Sequence, residues 1–224
     1  MRYLPINLDV RGRTVIIIGG GEVASRKCRL LRVGGACVTV IAPGVVPELQ
    51  ALADAGEIRC LARPYEPGDL TGAFLVYAAT DRPAVNRAVA DEARSAGVLV
   101  EVCTEPESGD FTTPALIARG DFTIAIATGG AAPALAARIR RDLEGRFDPA
   151  YGEAVELLGI VREKLLTANK ASAYNKRILK DLADADLPHL FRNRAYAEID
   201  QLLATLCGPG FALSTLGVPE KDNP

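Results

Sequence analysis

Five apolar or β-branched residues, Thr14-Val15-Ile16-Ile17-Ile18, run directly into Gly19-Gly20-Gly21 and then into a helical pattern over Glu22–Val33. A buried strand, a turn that needs glycine and a helix, in that order, open a βαβ unit. In the string Gly19-x-Gly21-x-x-Ala24, Gly19 permits the tight turn, Gly21 lets backbone approach a pyrophosphate, and small Ala24 lets helix and strand pack. Gly20 completes the turn, and the N–H groups at the helix start face the phosphates. The alternative is a tight turn without a ligand. Against it, each of the three glycines costs roughly 0.5–1 kcal/mol of backbone entropy relative to alanine.

The pattern then repeats. A strand is expected at Cys37–Ile41, a helix at 47–55, and strands at 58–62 and 74–79. A further helix opens with Asp81 as N-cap and Pro83 in its first turn and ends near Gly97, and a fifth strand follows at 98–103. Strands alternating with helices call for a parallel sheet covered on both faces. After Thr104 the pattern changes to a polar loop, then apolar residues 114–117, a turn at Arg119-Gly120-Asp121 and a strand at 122–127, which reads as a hairpin. A helix over 133–145 follows, and beyond Pro149 the residues are helix formers to about Leu206. The fold class expected is therefore α/β: an N-terminal Rossmann parallel sheet over 1–112, a small α+β region over 113–148, and a helical C-terminal region over 149–224 whose tail after Leu216 is disordered.

Composition narrows the partners. The 224 residues carry a formal net charge of −2, against the basic surface that bulk nucleic-acid binding requires. No apolar run approaches the ~18 residues of a membrane helix, and the opening MRYLPINLDVRGR resembles neither a secretory signal nor a transit peptide, so a cytoplasmic protein is expected. Five cysteines without CxxC spacing read as reduced core thiols. His189 is the one histidine, beside Leu190 and Phe191, and reads as a packed or capping residue; no metal site is assigned.

A dinucleotide site of this kind holds the adenosine ribose with an acidic residue at the end of the second strand, where this chain has Ala42-Pro43-Gly44. With no carboxylate for a 2′-hydroxyl and no Arg or Lys for a 2′-phosphate, the sequence favours NAD over NADP, with ribose contacts made by backbone.

The stretch YLPINLDVRGRTVIIIGGGEVASRKCRLL, the AATD string at 78–81 with Val85-Asn86 after it, and FTTPALIARGDFTIAIATGGAAPALAARIRRDLE over 111–144 together resemble the precorrin-2 dehydrogenase and sirohydrochlorin ferrochelatase family, which includes the N-terminal part of siroheme synthase. That resemblance covers most of the chain. It implies a homodimer joined through 113–148, with the apolar strands of the hairpin pairing across the two-fold axis. It also implies oxidation of precorrin-2, a tetrapyrrole, to sirohydrochlorin with NAD. Its cofactor contacts fall on Gly19, Gly20, Gly21, Glu22 and Val23, on Pro43 and Gly44, and on Thr80 and Asp81, all at strand C-terminal ends.

After the fifth strand the family shows Asn-x-x-Asp, whereas this chain reads Glu101-Val102-Cys103-Thr104. A threonine hydroxyl is not ionised near neutral pH and cannot replace a carboxylate base. The catalytic candidates are therefore Glu105 and Thr104, with Glu101 also within reach; both carboxylates as solvated charges is the competing reading. Weak or absent ferrochelatase activity is expected, and Thr104→Asp is expected to raise activity. Thr128, Gly129 and Gly130, before the helix near Ala132, and Arg138 are the substrate-binding candidates, since precorrin-2 is rich in carboxylates; Arg119, Arg140 and Arg141 are further cations on the same segment. Three other functions stay open, a non-catalytic NAD-sensing module, an oxidoreductase for another substrate, and a bifunctional dehydrogenase and ferrochelatase.

Overall fold

The computed structural model describes residues 2–167 and 172–219. They divide into two compact units, the first reaching to Thr113 and including Gly129–Ala131, the second comprising Pro114–Thr128 and the described residues from Ala132 onward. The segment expected as a dimerisation region and the helical C-terminal region thus fall largely in one unit.

The first unit contains β1 (Thr14–Ile18), α1 (Glu22–Val33), β2 (Cys37–Ile41), α2 (Pro47–Asp54), β3 (Arg59–Leu61), β4 (Leu75–Ala78), α3 (Pro83–Ala96), β5 (Leu99–Val102) and a short 3-10 helix at Pro106–Ser108. Every strand pair is parallel, in the order β3-β2-β1-β4-β5. Ile18 lies level with Ile41 on one side and Ala78 on the other, so the loops after β1, β2 and β4 leave from a common edge. The continuous apolar run of β1 follows from burial on both faces. Val15 and Ile17 pack with Ala24, Cys28, Leu31 and Leu49, whereas Ile16 and Ile18 pack with Val89, Ala90 and Ala93.

Three details differ from the sequence reading. Strands β3, β4 and β5 are each shorter by one or more residues at both ends. Helix α3 has Arg82, not Asp81, as its N-cap residue, with no capping bond from that side chain. Instead Thr80 Oγ1 accepts the Arg82 N–H at 3.1 Å, because Pro83 at the first helical position sets the entry one residue later. Of the five free cysteines, Cys28 and Cys207 are buried, but Cys37 at the start of β2 is exposed, so a fully buried set is not found.

The second unit begins with β6 (Ala115–Arg119) and β7 (Phe122–Ile126), antiparallel and closed by the Arg119–Phe122 pair across a two-residue turn in which Gly120 takes φ +59°. Then come α4 (Pro133–Glu144), α5 (Pro149–Thr167), α6 (Ser172–Ala183), α7 (Leu187–Arg192), α8 (Tyr196–Cys207) and α9 (Leu213–Leu216). Leu157, Val161, Leu165, Leu182, Leu187, Ile199 and Leu203 form its core. Phe122, Phe147 and Tyr151 cluster with ring centroids 4.9–5.7 Å apart, the two phenylalanines stacked and Tyr151 edge-on to Phe147, joining hairpin to α5. A Cβ on Gly152 would lie 2.6 Å from the Arg119 carbonyl oxygen, so α5 meets the hairpin backbone to backbone. Gly217 ends α9 in the left-handed conformation and Val218 N–H bonds Leu213 O; residues 220–224, on which most of the expected tail falls, lie outside the described residues. Among the described residues no helix is long and apolar enough to cross a membrane.

Candidate functional site

The glycine turn is built by close backbone approach. Gly19 has φ +124°, and a Cβ there would overlap the Ala79 carbonyl. A Cβ on Gly20 would overlap the Gly44 carbonyl oxygen, and Val46 N–H donates to Gly20 O at 2.8 Å. Both glycines are thus required by the protein itself. Gly21 is different: its φ of −86° suits any residue and an added Cβ would meet nothing within 4 Å. It faces open space at the N-terminus of α1, where no side chain caps the helix, so the first N–H groups and the positive end of the helix dipole are presented to the crevice. That arrangement fits a pyrophosphate.

The crevice in front of it encloses about 610 Å³, a size suited to a cofactor-class ligand, and is built wholly from the first unit. Gly19, Gly20, Gly21, Glu22 and Val23 line it at the end of β1, and Pro43 and Gly44 at the end of β2. Thr80, Asp81 and Arg82 follow β4, and Cys103 and Thr104 follow β5. The structure therefore brings together all nine expected cofactor residues and Thr104. This is the carboxyl edge of the sheet, straddling the point where strand order reverses, at which open α/β sheets bind ligands.

On the β2 side the lining is Ala42, Pro43, Gly44, Pro64 and Tyr65, with neither a carboxylate nor a cation. The neighbouring Arg63 is held by Asp69 at 2.6 and 2.8 Å, and that guanidinium keeps the Asp69 carboxyl below its ordinary range. On the β4 and β5 side the lining is organised by a residue that sequence reasoning quoted but did not place in the site. Asn86, 1% exposed, accepts the Thr80 N–H at 3.2 Å and the Thr80 hydroxyl at 2.6 Å through Oδ1. Its Nδ2 donates to Thr80 O at 2.9 Å and to Thr104 Oγ1 at 3.1 Å. One buried amide thus ties the end of β4 to the end of β5. Cys103 stays a thiol at neutral pH, since burial pushes it up to about 11.

Both carboxylates near Thr104 are engaged elsewhere. Glu101 is buried, accepts Lys27 Nζ at 2.8 Å on each oxygen, and also accepts the Thr113 N–H at 3.2 Å and hydroxyl at 2.5 Å. Lys27 in turn lies 5.4 Å from the centroid of the Tyr77 ring. Glu105 stands at the start of the 3-10 helix, exposed, where its carboxylate accepts the Ser108 hydroxyl at 2.9 Å; neither glutamate lines the crevice. The pairing of Lys27 with Glu101 spans 74 residues and has no periodic signature in sequence. Glu101 inside the apolar run Leu99–Val102 was the available clue, whereas Lys27, between Arg26 and Arg29 on α1, carried none.

The remaining candidates lie apart from these in the chain. Thr128 Oγ1 accepts the Ala132 N–H at 3.2 Å ahead of α4, and Gly129 and Gly130 take φ of +62° and +87°. Arg138 is exposed on α4 and pairs with Asp142 at 3.7 Å. His189 is exposed on α7, 2.8 Å from Asn193, not packed. Among the described residues no group of three His, Cys, Asp or Glu is placed to hold a metal.

Comparison with known proteins agrees with this geometry. A family model for NAD(P)-binding domains matches residues 6–115, and one for the central part of sirohaem biosynthesis proteins matches 119–146. Siroheme synthase 1 of Aeromonas salmonicida is 38% identical over 207 residues, 92% of this chain and 44% of its own length. Siroheme synthase of Chromobacterium violaceum is 44% identical over 152 residues, 68% of this chain and 32% of its own. The chain therefore spans less than half the length of these relatives. The solved structure of SirC, a precorrin-2 dehydrogenase, superposes with a TM-score of 0.71 at 27% identity, covering 89% of this chain and 98% of that one. With the glycine turn, the five-stranded parallel sheet and the hairpin segment all matched, the chain binds a nicotinamide cofactor and belongs to the family of precorrin-2 dehydrogenase and the N-terminal part of siroheme synthase.

Proposed function

We propose that this chain oxidises precorrin-2 to sirohydrochlorin with NAD⁺ as the acceptor, working as a homodimer joined through 113–148. The observation that carries this reading is the crevice at the carboxyl edge of the sheet, floored by Gly21 at the N-terminus of α1, in a chain that matches nearly the full length of a precorrin-2 dehydrogenase. When bound, the nicotinamide takes up a hydride from the macrocycle, and a proton leaves to solvent, so the substrate loses two hydrogens in all. Everything else falls to the chain. The N–H groups of Glu22 and Val23 hold the pyrophosphate. Pro43, Gly44, Pro64 and Tyr65 face the adenosine, and the lack of a cation there supports NAD over NADP. Thr80, Asp81, Arg82 and Thr104 border the reacting end. Positioning is the main catalytic contribution, and no carboxylate base at 104 is needed for it. Thr128, Gly129, Gly130 and Arg138 are proposed to take the substrate's carboxylates, and metal insertion to be weak or absent.

Mixing the purified chain with NAD⁺ and precorrin-2 and following NADH and sirohydrochlorin absorbance tests the reading. Stoichiometric appearance of both is expected. NAD⁺ binding without turnover would favour a non-catalytic nucleotide sensor instead, and sedimentation at micromolar concentration tests the dimer.

A further inference from the structure

Two threonines face the reacting end of the crevice, and their hydroxyl groups differ in what they have left to offer. The Asn86 amide decides this. Its orientation is fixed by two backbone groups with no choice of role: Thr80 N–H is only a donor, so the atom it meets at 3.2 Å is Oδ1, and Thr80 C=O is only an acceptor, so the atom it meets at 2.9 Å is Nδ2. The contact from Nδ2 to Thr104 Oγ1 at 3.1 Å then runs in one direction, from Asn86 to Thr104. Thr104 Oγ1 is an acceptor toward the protein, its single hydrogen has no acceptor among the described residues, and the residue is exposed in the crevice wall. Thr80 is the reverse case. Its hydroxyl accepts the Arg82 N–H at 3.1 Å and gives its hydrogen to Asn86 Oδ1 at 2.6 Å, leaving none for a ligand.

We infer that Thr104 presents a hydrogen-bond donor to an acceptor oxygen of a ligand at the reacting end of the crevice, with Asn86 as the positioning residue that turns the proton outward. This rests on the cofactor crevice proposed above. The strand order runs from β2 through β1 and β4 to β5, so with the pyrophosphate at the end of β1 and the adenosine beyond β2, Thr104 stands at the opposite limit. With cofactor and substrate bound as proposed, two kinds of acceptor oxygen would be available to it, the nicotinamide carboxamide oxygen and a substrate carboxylate. Both are oxygen acceptors that an outward O–H recognises and an anionic side chain repels. The inference thus reverses the expectation for Thr104→Asp. A carboxylate at 104 would accept from Asn86 equally well but would turn an acceptor toward an acceptor.

The test uses the full chain and three substitutions at 104, read by calorimetric titration with NAD⁺ alone and by KM for precorrin-2 at saturating NAD⁺. Thr104→Val, which keeps shape and loses the O–H, is expected to weaken one of the two by about 5- to 20-fold, within the span for one hydrogen bond to a polar group or an exposed charged one. A change in the NAD⁺ dissociation constant identifies the carboxamide, and a change confined to KM identifies the substrate carboxylate. Thr104→Ser should recover most of the loss. Thr104→Asp should be worse than Thr104→Val in the same parameter. Asn86→Asp, which draws the Thr104 proton inward, should mimic Thr104→Val; if it does not fold, the substitutions at 104 carry the test alone. If Thr104→Val shifts neither parameter by more than twofold, or Thr104→Asp outperforms the parent, the donor assignment is overturned while the cofactor site stands. If the parent itself binds no NAD⁺, both fall.

Discussion

Between the ends of β1 and β2 the crevice wall is peptide backbone, where Gly19 and Gly20 leave no room for a side chain and Val46 N–H is bonded to Gly20 O at 2.8 Å. Between the ends of β4 and β5 the wall depends on side chains, with Asn86 linking Thr80 to Thr104 and Lys27 linked to Glu101 behind it. A backbone wall has one shape for every sequence able to form the turn. A side-chain wall can be altered one residue at a time, and in this chain it carries Glu101 and Thr104, the two positions at which the sequence resemblance leads one to expect an asparagine and an aspartate.

If the β5 flank depends on its buried pair, removing one partner should produce the largest effect. Lys27→Met strands the Glu101 carboxylate, and a loss of about 3–5 kcal/mol in urea unfolding is expected. The double variant Lys27→Met with Glu101→Leu should regain most of it, because two apolar groups leave no uncompensated charge. A loss below about 1 kcal/mol for the single variant would mean that solvent screens the pair.

The backbone flank should respond in the opposite way, in binding and not in folding. Gly21 has an ordinary backbone conformation and open space at its Cβ, so Gly21→Asp should unfold within a few tenths of a kcal/mol of the parent. Its carboxylate would occupy the anion position at the helix start, and NAD⁺ affinity measured by titration should fall by about 100-fold, the equivalent of a charged hydrogen bond lost. Unchanged affinity would remove the pyrophosphate from the glycine turn.

These two substitutions also separate what the sequence made legible from what it did not. The β1 run, the glycine turn and the order of strands and helices were readable because hydrophobic period and glycine position are local signals. The hairpin was readable from its turn residues. The cap of α3 falls one residue later than expected because Pro83 takes the first helical position, and the oxygen that receives Arg82 N–H comes from Thr80 two residues back, a local arrangement that Asp81 as the more usual capping residue obscured. Glu101 looked available as a base because its partner lies 74 residues earlier. Side-chain pairs across such separations leave no pattern in one sequence.

Each flank also holds a thiol whose titration reports its burial. Burial pushes Cys28 on α1 and Cys103 after β5 up to about 11 from the ordinary 9.0. A raised folded value means that the protonated thiols support the folded form fully below pH 9, and that this support is lost as pH rises from 9 through 11. The denaturation midpoint should fall across that window, and less steeply when Cys28 and Cys103 are both replaced by alanine. Iodoacetamide at pH 8 should label exposed Cys37 before either of them. The smallest effect belongs to Glu105→Gln. With its carboxylate turned to Ser108, kcat/KM for precorrin-2 should stay within about twofold, the scale of an ordinary surface substitution. A loss beyond about tenfold would return Glu105 to the reaction.

Gly20 and Gly44 touch through their backbones, yet they differ as places for change. Gly20 admits no side chain, whereas a Cβ on Gly44 would meet nothing within 4 Å. The loop after β2 can therefore acquire a cation at 44 without moving the pyrophosphate turn to which it is fastened. If the adenosine lies against this loop as proposed, a substitution at 44 would change its surroundings while the fold of the glycine turn is kept, so preference for a phosphorylated or unphosphorylated ribose and foldability would be separable.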